Sequence, residues 1–422
     1  MKPRSLIFII VICLLVVSAV IAKAEDHDWP RWRGPNGDGI SMETDWDPIA
    51  LAGGPNIIWN VDVGKGLSNV AIKDNYLFTM GNQDRENVIF CLNADTGEEV
   101  WRYSYESRSG TFGPQSTLIV EDKYVYALSI EGVLMCLKVK NGRRRWVKDL
   151  VNEYDVVEPF YAFSGSPVIE GDLLIITANT SGIALNKKTG ERVWGSDIPP
   201  DNIIGLIYGT GPHYATPVLY DYEEKRYAVI SSYIGLHAVE VETGKVFWLY
   251  EWEPLREVQT TDPLIFDKYV FITQYDEKYG SVLLEIEGGE PKVLWESLNM
   301  NSNVSSPVMI DGYIYGVDGG PYPQRGSLQC LDAKTGELMW EEELNGEPIS
   351  LMAADKKLII LDEKGTLYIA DATPSSYREI SSCDVLDGEQ KFRQFWTPPV
   401  LSNGKIYCRN HYSDLVCINV SK

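Results

Sequence analysis

Apolar and polar residues alternate along most of this 422-residue chain. Short apolar runs such as "NVIFCL" (87–92) and "GVLMCL" (132–137) read as buried strands. Each leads into a Thr-Gly or Asn-Gly turn, where glycine accepts the positive φ that other residues resist. The next strand carries a tryptophan. Five windows share this layout: "CLNADTGEEVW" (91–101), "CLKVKNGRRRW" (136–146), "ALNKKTGERVW" (184–194), "AVEVETGKVFW" (238–248) and "CLDAKTGELMW" (330–340). In all five, Gly lies six residues after the first position and Trp four after the Gly. A looser copy ends at Trp295, and a copy at 370–377 has lost both Gly and Trp. Upstream of the units lie stretches such as "SGSPVIEGDLLIIT" (164–177) and "SSPVMIDGYIYGV" (305–317), each a strand, a polar turn and a strand. One repeat is therefore a four-stranded antiparallel sheet of about 45 residues, and helical periodicity is hard to find.

Radial repetition of such sheets predicts an all-β fold, a β-propeller. Units ending at Trp101, Trp146, Trp194, Trp248, Trp295 and Trp340 make six blades, and the degenerate copy at 346–385 makes seven. The C-terminal piece from 397 has three strands and lacks an outer one. "NIIWNVDV" (56–63), with Trp59 but no strands before it, supplies the missing edge. The sequence thus predicts eight blades of four strands, the last closed by antiparallel pairing of 57–63 with 415–420. Closure would remove the free edges of an open sheet. The chain divides into a leader (1–24), a non-repeat segment (25–56) and the propeller (57–422).

The Ala-x-Asp-x-x-Thr-Gly-x-x-x-Trp pattern resembles the tryptophan-docking repeat of the pyrroloquinoline-quinone-like eight-bladed propellers. That superfamily includes quinoprotein alcohol dehydrogenases and the non-enzymatic propeller of the outer-membrane β-barrel assembly machinery. The resemblance covers 57–422, and the opening "DWPRWRGPNGDGIS" (28–41) is similar to the start of a secreted bacterial branch. It implies either redox chemistry with a quinone and calcium or a binding scaffold, and the fold does not choose between them. The dehydrogenases use an adjacent-cysteine pair and long insertions around their pocket. Neither is present here, and no family catalytic residue falls on a matching motif.

The leader has Lys2 and Arg4, an apolar run over 6–21 and the small residues Ala22 and Ala24. This is a signal-peptide pattern with cleavage before Glu25, and its run is short for a bilayer span. Cys13 lies mid-run without the small residues of a lipid-attachment site. The expectation is an exported protein, periplasmic or extracellular and not lipid-anchored, with a retained leader anchor as the alternative. Losing Lys2, Arg4 and Lys23 takes the net charge from −22 to −25. So acidic a chain argues against nucleic acid and suits basic partners.

Of the six remaining cysteines, Cys91, Cys136, Cys330 and Cys417 occupy the slot that Ala184 and Ala238 hold in sister blades, and Cys408 parallels Ala127. These read as small buried residues rather than disulfide partners. Only Cys383 falls outside the scheme. The regular tryptophans Trp59, Trp101, Trp146, Trp194, Trp248, Trp295 and Trp340, with Gly97, Gly142, Gly190, Gly244 and Gly336, read as structural packing between blades.

No catalytic residue and no metal ligand is assigned. The four histidines, His27, His213, His237 and His411, lie at no metal-ligand spacing. Binding is expected where the connections between blades are longest. From Trp to the Ser, Thr or Asp before the next blade's Pro the interval is 20 residues to Ser166 and 22 to Thr216, against 14 to Asp262 and 11 to Ser306. The long connections carry Tyr154, Glu158, Phe160, Tyr161, Tyr208, His213 and Tyr214, with Phe112 on the connection before them. The reading is a secreted scaffold for an envelope protein or polysaccharide, acting as a monomer or a complex subunit. A quinone-dependent oxidoreductase or another small-molecule enzyme is the alternative. In "DWPRWRGPNGDGIS", Asn36, Asp38 and Ser41 could offer oxygens to a metal, but the spaced acids and closing Glu of a calcium loop are missing. The segment reads instead as a clasp, with Trp29, Trp32, Arg31 and Arg33 pinning it by packing and cation–π contacts.

Overall fold

The computed structural model describes residues 27–106, 113–196, 214–252, 260–275, 280–319, 326–344, 348–386 and 396–422. They form eight sheets, one per blade, seven of four antiparallel strands and one of five whose added strand pairs parallel. In the first blade the strands are Ala71–Lys73, Tyr76–Gln83, Glu86–Asn93 and Glu99–Glu106, from the axis outward. The middle strands are almost wholly buried, while the outer one alternates, with Trp101, Tyr103 and Tyr105 turned inward. The expected closure is present. Ile57–Asp62 pairs antiparallel with Asp414–Asn419, from Ile57 opposite Ile418 to Asp62 opposite Asp414.

The repeat motif is a contact between neighbouring blades. The Trp101 indole N–H donates to the Val139 carbonyl at 2.7 Å, three residues before Gly142 in the next blade's turn. A Cβ on Gly142, where φ is +65°, would sit 2.7 Å from the Trp101 ring. The same contact joins Trp59 to Ala94 and Gly97, Trp146 to Lys187 and Gly190, Trp194 to Val241 and Gly244, and Trp295 to Ala333 and Gly336. Glycine is needed for its φ and because the indole lies flat where a side chain would begin. Across the strands, the residue facing Trp101, Trp146, Trp340 and Trp59 is Cys91, Cys136, Cys330 and Cys417, and Ala184 faces Trp194. Ala238 likewise faces Trp248, whereas Leu283 takes this place opposite Trp295. The six cysteines among the described residues are thiols, and burial pushes that of Cys91 up to about 12, leaving it protonated and a poor nucleophile.

Two blades improvise. Trp248 donates to the Tyr220 hydroxyl of its own blade at 2.8 Å, because the fifth blade's turn is the short Gly288-Gly289 pair. Phe247 packs on Gly289 instead, where a Cβ would come within 2.7 Å of the ring. In the degenerate seventh blade, Trp340 still donates to the Thr373 carbonyl at 2.8 Å, and Tyr377 meets its ring edge-on in place of the glycine. Every outer strand also has a register shift, next to the tryptophan in seven blades and between Glu379 and Ser381 in the seventh blade, which bends it and discourages further edge pairing.

A second ring of bonds runs near the axis, on the residues that precede each blade's inner strand. Asn69 N–H donates to Thr117 Oγ1, Thr117 N–H to Ser166 Oγ, Ser166 N–H to Thr216 Oγ1, Thr216 N–H to Asp262 Oδ1 and Asp262 N–H to Ser306 Oγ, at 2.7–3.1 Å. The second to sixth blades thereby each accept from their predecessor through one side-chain oxygen. The junction of the last and first blades has its own device. Arg409, 1% exposed, donates to the carbonyls of Ser68, Met80 and Gly64 and to Thr79 Oγ1. Burial pulls its guanidinium down to about 9.

Two stability predictions follow, both read by urea unfolding. Gly142→Ala combines a strained φ with ring overlap and costs roughly 2–4 kcal/mol, and Trp101→Phe, which loses the indole hydrogen bond and part of the ring packed on Gly142, costs roughly 1–3 kcal/mol. Arg409→Met leaves three buried carbonyls short of a donor and costs roughly 2–4 kcal/mol. Equal, negligible costs for all three would remove this account of blade docking.

Candidate functional site

Antiparallel blades give the propeller two distinct faces. One carries the connections from each outer strand to the next inner strand. The other carries the tight inner turns, such as Asp74-Asn75, and the Thr-Gly turns. The non-repeat segment lies on this second face and meets the blades in ring order. His27 N–H donates to Asn403 Oδ1 of the eighth blade at 3.0 Å. Trp29 exchanges backbone bonds of 2.9 and 2.7 Å with Ile72 of the first, and the Pro30 carbonyl accepts from Val120 of the second at 2.8 Å. Arg31 comes within electrostatic reach of Glu170 in the third and Arg226 in the fourth. Trp32 Nε1 donates to Asp262 of the fifth at 2.6 Å. Arg33 donates to the Ser306 and Pro307 carbonyls of the sixth at 3.0 and 2.6 Å. Ile40–Ser41 adds a parallel fifth strand to the seventh blade, inside Pro348–Ala354. Glu43 then accepts from Gly404 N–H, back in the eighth. One turn of chain closes this mouth of the channel.

This sharpens the clasp reading and corrects its chemistry. Among the described residues neither Arg31 nor Arg33 makes a cation–π contact. Arg33 uses its donors on carbonyls, and its Nε lies 3.8 Å from Asp262 Oδ2. Burial pulls the Arg33 guanidinium below its usual value, opposed by Asp262 and then Asp38. Burial likewise raises the Asp262 carboxyl, opposed first by Arg33 and then by Trp32. Asp38 and Ser41 accept from the amides of Ile40 and Glu43 two residues on, which makes local turns of them. Gly34, at φ +79°, lies flat against Trp29, whose ring a Cβ would meet at 2.6 Å.

On the connection face, the chain between the second and third blades brings part of the expected aromatic set together. Phe160 and Tyr161 meet edge-to-face at 4.9 Å and are 64% and 38% exposed. Tyr161 N–H donates to the buried Tyr214 hydroxyl at 3.1 Å, and the two rings lie 5.8 Å apart. Gln115 Nε2 donates to the Tyr161 carbonyl at 2.9 Å, fastening the loop to the neighbouring connection. Burial raises the Tyr214 phenol to about 12, so it stays protonated. Glu158 is exposed nearby along the chain. Tyr154 does not join this cluster. Its hydroxyl donates to the Gly190 carbonyl at 2.9 Å, and its ring carries Lys148 and Arg192, so it braces the second blade on the third. Phe112, Tyr208 and His213 lie outside the described residues.

One pair escaped the sequence reading. Ser232 Oγ and His237 Nε2 lie 2.9 Å apart on adjacent strands of the fourth blade. The residues are 1% and 4% exposed, and His237 Nδ1 has no partner to orient the ring. A nucleophile needs access and an oriented base, so this pair is a core hydrogen bond rather than a catalytic dyad. Among the described residues no group of three His, Cys, Asp or Glu side chains stands together as a metal would require.

The fold and its docked tryptophans define an eight-bladed β-propeller. The chain belongs to the family of the outer membrane protein assembly factor BamB, whose model matches residues 50–202, 113–342 and 237–422. Among curated relatives, the Escherichia coli (strain K12) assembly factor is 23% identical over 374 residues, covering 74% of this chain and 88% of that protein. The Salmonella typhimurium factor is 24% identical over 380 residues, covering 87% and 79%. Two solved structures share the fold. BamB from Moraxella catarrhalis superposes with a TM-score of 0.60 at 14% identity, over 86% of this chain and 97% of that one. Quinohemoprotein alcohol dehydrogenase from Comamonas testosteroni does so with 0.67 at 11% identity, over 93% and 80%.

Burial holds the His237 and His411 imidazoles down to about 4, with Arg409 and Lys65 adding to His411. Both are neutral in the fold and take up a proton on unfolding below about 6.5. Each therefore contributes stability that is present above pH 6.5 and lost as the pH falls toward 4. His237→Gln should flatten the acid-side slope of unfolding free energy by up to about 1.4 kcal/mol per pH unit between those values. An unchanged slope would mean that the imidazole is already solvated in the fold.

Proposed function

We propose that this protein is a binding scaffold of the bacterial cell envelope that holds another protein or a polysaccharide on its connection face. The observation that carries the reading is the asymmetry of the two faces. The turn face is closed by the chain's own residues 27–43, while Phe160 and Tyr161 stand exposed on a fastened loop of the other. Exposed aromatics on a rigid frame supply large contact area at small entropic cost. The net charge of −22 favours a basic partner. Family membership supports the reading, since the relatives are named as outer membrane protein assembly factors. Among the described residues no helix is long and apolar enough to cross a membrane.

No quinone cofactor enters the proposal. Likeness to a quinohemoprotein dehydrogenase supports the shared fold alone.

Photo-cross-linking in cells tests the reading. A photoreactive residue at position 160 should give one discrete adduct. One at Gly171, an open turn of the opposite face with nothing within 4 Å of its Cβ direction, should give none. Adducts at 171 and not at 160 would place the partner on the wrong face.

A further inference from the structure

The ring near the axis contains one irregular member. Thr117, Ser166, Thr216 and Ser306 each present a single hydroxyl to the preceding blade, but the fifth blade presents Asp262. A hydroxyl would satisfy the ring, and a buried carboxylate is costly unless it is used. Asp262 has a second oxygen. Oδ1 accepts from Thr216 N–H at 2.7 Å, as the ring requires, and Oδ2 accepts the Trp32 indole N–H at 2.6 Å. Beside it, Arg33 is gripped by the Ser306 and Pro307 carbonyls, with its Nε 3.8 Å from the same Oδ2. A buried carboxylate that takes an indole N–H, flanked by two carbonyls that take a guanidinium, forms a recognition geometry of the kind that reads peptides.

We propose that the fifth and sixth blades form a peptide-binding site for an adjacent Trp–Arg pair, filled in cis by the chain's own Trp32-Arg33. The ligand class is an extended peptide bearing that pair, and the N-terminal segment competes with any such peptide supplied in trans. This site is separate from the exposed aromatics of the connection face and does not depend on their role.

The test uses full-length protein and a fluorescent synthetic peptide of residues 27–41. Trp32→Ala/Arg33→Ala, which empties the site, should bind the peptide saturably. Wild type should bind at least tenfold more weakly. Adding Asp262→Ser, which keeps a ring hydroxyl and removes the second oxygen, should abolish binding to the emptied variant. Saturable binding that survives Asp262→Ser, or no binding to a folded Trp32→Ala/Arg33→Ala variant, would overturn the proposal. If that variant does not fold, Asp262→Ser alone decides. Tryptic cleavage after Arg31 and Arg33 should then become at least tenfold faster than in wild type while unfolding stays cooperative. Unchanged protection of those two bonds would overturn it.

Discussion

An indole lying flat on a glycine is the contact on which this molecule depends. No blade buries both of its faces by itself, so each must be held against the next. The indole N–H finds a carbonyl in the neighbour's turn, and the neighbour's missing Cβ lets the ring come close. Together these fix the angle between blades at a rim where backbone hydrogen bonds no longer reach from sheet to sheet. Behind six of the indoles the facing residue is cysteine or alanine, and behind Trp295 it is Leu283. Where a turn is shortened, as at Gly288-Gly289, an adjacent aromatic takes over the packing. The geometry is thus the conserved quantity within the ring, and the residue is one way of meeting it.

Near the axis the logic is different. The side-chain ring of Asn69, Thr117, Ser166, Thr216, Asp262 and Ser306 links blades through single hydrogen bonds. Arg409 fastens the place where the two ends of the chain meet, with carbonyls instead of a carboxylate as acceptors. The N-terminal segment adds a lock across all blades at one mouth, because its backbone pairs with inner strands that are far apart in sequence. That lock makes the two faces unequal. A ring that began with eight similar units ends with one face available through its loops and one face committed to its own chain.

The fold was largely legible from spacing. Gly and Trp positions give blade number and boundaries, and a C-terminal unit short of one strand calls for an N-terminal one. The small cysteine slots were also readable, because sister blades place alanine there. Side-chain destinations were not. Tyr154 sits on a long connection like Tyr161, yet a short helix, Leu150–Tyr154, turns it back onto Gly190. Sequence periodicity carries no sign of that reversal. The residues before each inner strand were visible as a recurring Ser, Thr or Asp, and the odd Asp262 was the available clue to the ring and its second acceptor. Arg33 looked like a partner for aromatic rings. Two of its carbonyl partners, Gly37 and Asp38, are local, but the other two lie 273 and 274 residues away, which local pattern cannot foresee.

Amide hydrogen exchange of the intact protein tests the self-closed ring most directly. Val120 and Ala353 lie on different blades, and their amides donate to the carbonyls of Pro30 and Gly39. The account predicts that both amides exchange as slowly as the buried middle strands, through cooperative unfolding of the ring. Exchange of both at the rate of exposed loops, with the middle strands still protected, would contradict it.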